Sequence, residues 1–80
     1  MHRFKIRAFG VTREILGGKE LVVEIEGQTV ATLRKELLER FPPLAGLRSC
    51  YIAVNNSYAD DLQILSEKDE IALIPPVSGG

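Results

Sequence analysis

The segment GQTVATLRKELLERFPP, residues 27–43, decides the fold because its apolar residues follow a helical period, whereas those on either side of it alternate. They would form one stripe of a helix, made of Val30, Leu33, Leu37, Leu38 and Phe41. Thr29 is a suitable N-cap, because its hydroxyl can accept a hydrogen bond from a free amide of the first turn. Since Pro42 and Pro43 disfavour further helix, the sequence predicts one amphipathic helix of about three turns that ends near Phe41.

Two segments before this helix alternate between apolar and polar residues, which is typical of half-buried strands. The first is RFKIRAFG, residues 3–10, with Phe4, Ile6 and Ala8 on one face, and the second is KELVVEIEG, residues 19–27, with Leu21, Val23 and Ile25 on one face. Between them, a helical turn over residues 12–16 would stop at Gly17 and Gly18. This pattern predicts an antiparallel hairpin with a long loop.

The segments after the helix again favour strands. SCYIAVNN, residues 49–56, predicts a third strand with a turn at Asn55 and Asn56, because asparagine tolerates positive φ. A short edge strand is expected within residues 57–65, and a last strand over residues 70–74 that stops at Pro75.

The order strand, strand, helix, strand, short strand, strand predicts a compact α+β sandwich. It is the order of the β-grasp (ubiquitin-like) fold, a mixed sheet of about five strands with one crossing amphipathic helix. In that arrangement the first and last strands lie side by side in the middle of the sheet. We therefore expect residues 1–80 to form a single β-grasp domain, with residues 75–80 as an extended C-terminal tail.

The composition excludes several classes of function. Ten basic residues are interleaved with eleven acidic ones, so no basic stripe supports nucleic-acid binding. The apolar runs are far shorter than the roughly 20 residues that span a bilayer, so no membrane role is expected. The alternating N-terminus does not resemble a signal peptide, and we expect a cytoplasmic protein. With one cysteine, Cys50, the chain can form no internal disulfide or cysteine-pair metal site, and we expect no metal.

Side chains that could perform catalysis are scarce. His2 is the only histidine, and we expect it to be solvated. We interpret Asp60-Asp61 and the acidic residues of segment 67–70 as solvated carboxylates in turns. Cys50 begins an apolar strand and is interpreted as a small core residue. The chain also has no phosphate-binding glycine motif, so a free-standing enzyme is disfavoured.

The tail carries the remaining unusual chemistry. Pro75 and Pro76 favour an extended backbone, Val77 and Ser78 are slim, and Gly79 and Gly80 have no side chain. Such a segment can enter a channel that excludes ordinary residues. We expect the Gly80 carboxylate to be free and to act as a nucleophile inside another protein's active site.

Two apolar residues are out of phase with their strands. Phe9 does not share the face of Phe4 and Ile6, and Ile74 does not share the face of Leu73. The two side chains form one exposed patch beside the tail if the strands keep their pleat, and an exposed apolar patch often marks a docking surface. Alternatively, the strand ends twist and both side chains enter the core.

Four segments of the chain resemble the MoaD family, the small subunit of molybdopterin synthase. They are DEIALIPPVSGG at residues 69–80, AVNNSYADD at residues 53–61, AFGVTREILG at residues 8–17 and GQTVATLRKELLERFP at residues 27–42. Family members often carry Asn-Gly in place of Asn55-Asn56, and Asp-Gly-Asp-Glu at residues 67–70. Both departures fall in predicted turns, so they concern turn geometry more than sulfur chemistry.

The resemblance implies a sulfur carrier that is not catalytic on its own. An activating enzyme of the MoeB type would use ATP to adenylate Gly80, and a sulfur donor system would convert it to a thiocarboxylate. The tail would then enter the large subunit, MoaE, and give its sulfur to cyclic pyranopterin monophosphate to form the molybdopterin dithiolene. The resemblance implies two small subunits on a dimer of large ones, and no permanently bound cofactor.

The resemblance also assigns roles to residues. Phe9, Tyr58 and Ile74 match apolar positions that contact the large subunit, and segment 75–78 (Pro75, Pro76, Val77 and Ser78) precedes the reactive Gly79-Gly80 end. Two alternatives use the same tail. One is a ThiS-like sulfur carrier of another pathway, and the other is a ubiquitin-like modifier conjugated through Gly80.

Overall fold

The computed structural model describes residues 1–47 and 50–75. Within them the strands are β1 (His2–Ala8), β2 (Glu20–Ile25), β3 (Tyr51–Val54), β4 (Ser57–Tyr58) and β5 (Ile71–Ile74). The helices are α1 (Val11–Leu16), α2 (Val30–Arg40) and a short 3₁₀ helix, Pro42–Gly46. The predicted order of elements is confirmed, and the 3₁₀ helix is an addition. None of the helices in these residues is long and apolar enough to cross a membrane.

The sheet is mixed, with the strand order β2-β1-β5-β3-β4. β1 pairs antiparallel with β2 and parallel with β5, with Ile6 opposite Ile71. β3 pairs antiparallel with β5 and with the edge strand β4. The first and last strands are therefore neighbours in the middle of the sheet, and the predicted β-grasp architecture is confirmed.

The core lies between one face of this sheet and α2. Alternation buries Phe4, Ile6 and Ala8 on β1, as predicted, and Val30, Leu33 and Leu37 cover them from α2. The predicted helical stripe is wrong at Leu38, which is 37% exposed. Successive helical residues are about 100° apart, so when Leu37 faces the sheet its neighbour Leu38 turns to the helix edge.

The predicted helix boundaries are confirmed by their caps. The Thr29 hydroxyl accepts a hydrogen bond from the Thr32 amide at 3.2 Å, and the α2 C-cap is Phe41. α1 ends at Gly17, whose φ of 86° lies in the left-handed region that favours glycine. The two prolines after α2 occupy the first turn of the 3₁₀ helix, where a missing amide hydrogen does no harm, and they bring Leu44 into the core.

Candidate docking surface and tail attachment

The sheet face opposite α2 carries a shallow apolar depression of about 310 Å³. Phe9, Tyr58 and Ile74 all line it. Phe9 is 37% exposed, Tyr58 is 69% exposed and Ile74 is partly buried. The structure thus brings the three sequence-predicted residues together on one surface, which we call the docking surface, and Phe9 does not enter the core.

The turn after β1 holds Phe9 in place. The hydroxyl of Thr12 accepts a hydrogen bond from the Phe9 amide at 2.8 Å and donates one to the Phe9 carbonyl oxygen. The same hydroxyl oxygen lies 3.5 Å from the carbonyl oxygen of Leu73 on β5. Thr12 is fully buried, so this one polar side chain ties Phe9 to the strand that leads into the tail.

Tyr58 is positioned by a tight hairpin turn between β3 and β4. Asn55 and Asn56 have φ values of 53° and 70°, so the predicted turn is confirmed, with both residues in the left-handed region. The Asn55 side chain donates to Asp69 at 3.0 Å and accepts from the Glu70 amide at 2.9 Å. These bonds fix the turn to the chain just before β5, which explains Asp69 as a structural residue.

Tyr51 also lies on this face, and sequence reasoning missed it. Its ring centroid is 5.2 Å from that of Tyr58, and it is paired with Ile74 in the strand register. The signal was present in YIAV, because alternation places Tyr51 and Ala53 on the face opposite Ile52. Ala53 is nevertheless buried, because it is paired with the large Tyr58.

The other titratable residues considered from sequence do not form a reactive site. Cys50 is partly buried against the core, as expected of a structural residue, and burial raises the pKa of its thiol against a smaller lowering effect of Arg34. His2 is partly buried beside Phe4 and not fully solvated, which corrects the expectation. Among residues 1–47 and 50–75, no three His, Cys, Asp or Glu side chains are grouped to hold a metal ion.

The tail begins directly beside the docking surface. Pro75 follows Ile74 and packs against Gly10, where an added Cβ would lie 3.2 Å from the proline Cγ. Gly10 itself has a φ of 57°. The predictions for Pro76, Val77, Ser78, Gly79 and Gly80 lie outside the described residues.

The mixed five-stranded sheet and the crossing helix define a ubiquitin-like protein, and its open sheet face carries an apolar depression. Solved structures share the fold. Small archaeal modifier protein 1 from Methanosarcina acetivorans superposes with a TM-score of 0.77 at 27% identity, over 100% of this chain and 98% of that one. A chain in the complex of subunits 1 and 2 of the molybdopterin-converting factor from Helicobacter pylori superposes with a TM-score of 0.67 at 30% identity. The match covers 98% of this chain and 99% of that one.

Sequence comparison narrows this class to one family. The model of the ThiS family matches residues 6–80. The molybdopterin synthase sulfur carrier subunit of Arabidopsis thaliana is 38% identical over 95% of this chain and 81% of its own length. The chain therefore belongs to the ThiS family, together with the molybdopterin synthase sulfur carrier subunits, and the resemblance to the MoaD family is confirmed.

Proposed function

We propose that this chain is the sulfur carrier subunit of a molybdopterin synthase. The observation that carries the proposal is the 38% identity to such a subunit over 95% of the chain. The docking surface supports it, because an apolar face beside the start of the tail suits a subunit that binds a partner and inserts its C-terminus. The chain would act as a donor and not as an enzyme on its own.

The chemistry of this function resides at the Gly80 carboxylate. A carboxylate oxygen attacks the α-phosphate of ATP on a MoeB-like activating enzyme, which releases pyrophosphate and leaves an acyl-adenylate. Hydrosulfide from a sulfur donor system then attacks the acyl carbon and displaces AMP, which is a good leaving group, so that a thiocarboxylate remains. ATP belongs to the activating enzyme in this scheme, and the carrier itself needs no permanently bound cofactor. Gly79 keeps the reacting carbonyl free of steric obstruction.

The sulfur is delivered inside the large subunit. Phe9, Tyr58 and Ile74 contact that subunit, and segment 75–78 extends into its active site. There the thiocarboxylate sulfur bonds to a carbon of cyclic pyranopterin monophosphate, and water hydrolyses the resulting thioester so that the carrier leaves with a Gly80 carboxylate. Two such deliveries complete the dithiolene of molybdopterin. The large subunit supplies the catalytic side chains, in an assembly of two small and two large subunits in the cytoplasm. The Helicobacter pylori complex of two such subunits supports a partner of this kind.

Intact-mass spectrometry tests the carrier function. The chain is incubated with a MoeB-like enzyme, ATP and a sulfur source, and the expected product is heavier by the replacement of one oxygen atom with one sulfur atom. A variant that lacks Gly80 and a reaction without ATP should both keep their starting mass. An unchanged mass for the native chain in the complete reaction would contradict the proposal.

A second assay separates the synthase from the alternatives. The thiocarboxylate form is mixed with the large subunit and cyclic pyranopterin monophosphate, and molybdopterin formation is measured. The likeness to small archaeal modifier protein 1 favours conjugation to lysine as a second candidate function. Amide-linked adducts of this chain in an ATP-supplied lysate, without molybdopterin formation in the synthase assay, would favour that candidate.

A further inference from the structure

The arginines of the described chain fall into two groups. Arg3, Arg34 and Arg40 each have a carboxylate partner, at 3.0, 3.5 and 2.7 Å respectively. Arg7 and Arg13 have no carboxylate within ion-pair distance in residues 1–47 and 50–75. Both are exposed, and these two arginines lie at one place on the surface.

That place is the ring of Phe9. The guanidinium carbons of Arg7 and Arg13 lie 5.8 Å and 5.9 Å from the ring centroid. At these distances a cation is attracted to the face of an aromatic ring. Arg13 is held further by a hydrogen bond from its Nε to the Ala8 carbonyl oxygen at 3.1 Å. The contacts restrict both guanidinium groups before any partner arrives, which lowers the entropic cost of binding.

A second, smaller depression of about 180 Å³ lies next to these groups. It is lined by Arg7, Ala8, Phe9, Arg13, Lys19 and Glu20. Its one acidic residue, Glu20, lies 3.9 Å from Lys5, so its charge is shared with a lysine outside the depression. Arg7 and Phe9 line the docking surface as well, so this basic cleft is continuous with it.

We propose that the basic cleft receives carboxylate side chains of the large synthase subunit, so that the docking surface has an apolar half and a cationic half. The inference rests on the proposed function, because it assigns chemistry to the same partner. A guanidinium group presents a planar set of donors that matches a carboxylate. The continuity with the apolar depression favours a group on the docking protein over a small free anion.

The charges of Arg7 and Arg13 contribute most to binding once the large subunit covers them. Exposed ion pairs contribute little in water, because the solvent screens them. When the large subunit covers Phe9, water leaves the neighbouring arginines and the attraction to a carboxylate increases. The same charges attract an acidic partner before contact, so association should depend on ionic strength.

The test is calorimetric titration of the full chain into the large subunit from the same organism. It uses the native chain, Arg7→Gln, Arg13→Gln and the double variant, at about 0.1 M and about 1 M salt, between which the Debye length falls from about 10 Å to about 3 Å. Arg40→Gln is the matched control, because Arg40 is an arginine of α2 that is paired with Glu36. Arg7→Lys keeps the positive charge but removes the planar guanidinium group, so it shows whether charge alone maintains the affinity for the large subunit.

The double variant should bind about tenfold or more weakly than the native chain at low salt, and the difference should be smaller at high salt, since salt screens the long-range part of the attraction. Arg40→Gln should stay within about twofold of native at both concentrations. If the double variant binds the large subunit as tightly as the native chain, or if Arg40→Gln loses as much affinity as the double variant, the inference is overturned. The proposed function stands in either case, because the native chain still binds. Saturable binding of inorganic phosphate to the free chain, lost in the double variant, would overturn it in favour of a small-anion site. A native chain that binds the large subunit at neither salt concentration would contradict the proposed function itself.

Discussion

The backbone of Gly10 lies against the ring of Pro75, so that a Cβ at residue 10 would be 3.2 Å from the proline Cγ. This contact joins the turn after β1 to the first residue of the tail. Gly10 has a φ of 57° and a ψ of −135°, a conformation that residues with a Cβ rarely adopt. The position therefore needs glycine for two reasons, namely its backbone conformation and the space beside Pro75.

Gly10→Ala should lower the free energy of unfolding by about 1–3 kcal/mol, because alanine is strained in this backbone region. Urea denaturation measures the change. Gly46→Ala is the control, since an added Cβ at Gly46 would meet nothing within 4 Å and its φ is not positive. Equal stability of Gly10→Ala and the native chain would show that this turn relaxes without cost.

Thr12→Val should lower the free energy of unfolding by roughly 1–3 kcal/mol, because the partly buried amide of Phe9 loses its hydrogen-bond acceptor. Valine keeps the shape of threonine, so the loss reports on the hydroxyl group. Thr12→Ser is the control that keeps the hydroxyl and removes a methyl group. Amide hydrogen exchange at Phe9 should become faster in Thr12→Val and remain slow in Thr12→Ser, and equal rates in both would contradict this role for the hydroxyl.

The parts of the fold that sequence predicted are those with a regular hydrophobic period. The alternation of Phe4, Ile6 and Ala8 predicted which face of β1 is buried, and the Thr29 cap predicted the start of α2. Both features depend on neighbouring residues alone. The order of elements then favoured the β-grasp sheet, because the parallel pairing of β1 and β5 follows from that topology.

The features that sequence did not predict depend on contacts between distant residues. Leu38 fits the helical stripe, but the position of α2 over the sheet leaves it exposed. Tyr51 joins the docking surface through its strand register with Ile74 and its contact with Tyr58. The basic cleft likewise depends on how α1 brings Arg13 back towards Phe9. No local pattern encodes these distances.

Cys50 should make stability depend on alkaline pH. Burial raises the pKa of its thiol, with Arg34 opposing the shift, so the folded state favours the neutral form. The stabilisation is complete below the ordinary thiol pKa and is lost as the pH rises through the raised pKa, because the unfolded chain ionises first. Urea denaturation over this range should show a steeper decline for the native chain than for Cys50→Ala. Parallel declines would contradict the raised pKa.

Phe9→Ala, Tyr58→Ala and Ile74→Ala should each weaken binding to the large subunit by about 1–3 kcal/mol, a usual range for apolar interface anchors. Calorimetry with the purified large subunit measures the loss. Val22→Ala is a matched control, because Val22 is 49% exposed on the same face of the sheet but lies on β2, away from the depression. The binding free energy of Val22→Ala should stay within about 0.5 kcal/mol of that of the native chain. A loss as large as that of Phe9→Ala would mean that docking covers the whole face.

Adding one alanine after Gly80, or deleting Gly80, should abolish molybdopterin formation, because the carboxylate would no longer reach the position at which it is adenylated and attacked. The domain should be unaffected, since the change lies outside the core and the docking surface. The measurements are thiocarboxylate formation by intact mass, molybdopterin formation in the reconstituted synthase, and unfolding by urea. A free energy of unfolding equal to that of the native chain would show that each variant is folded, which is the control. Full synthase activity of the extended chain would contradict the assignment of the Gly80 carboxylate as the sulfur-bearing group, and it would direct attention to another nucleophile.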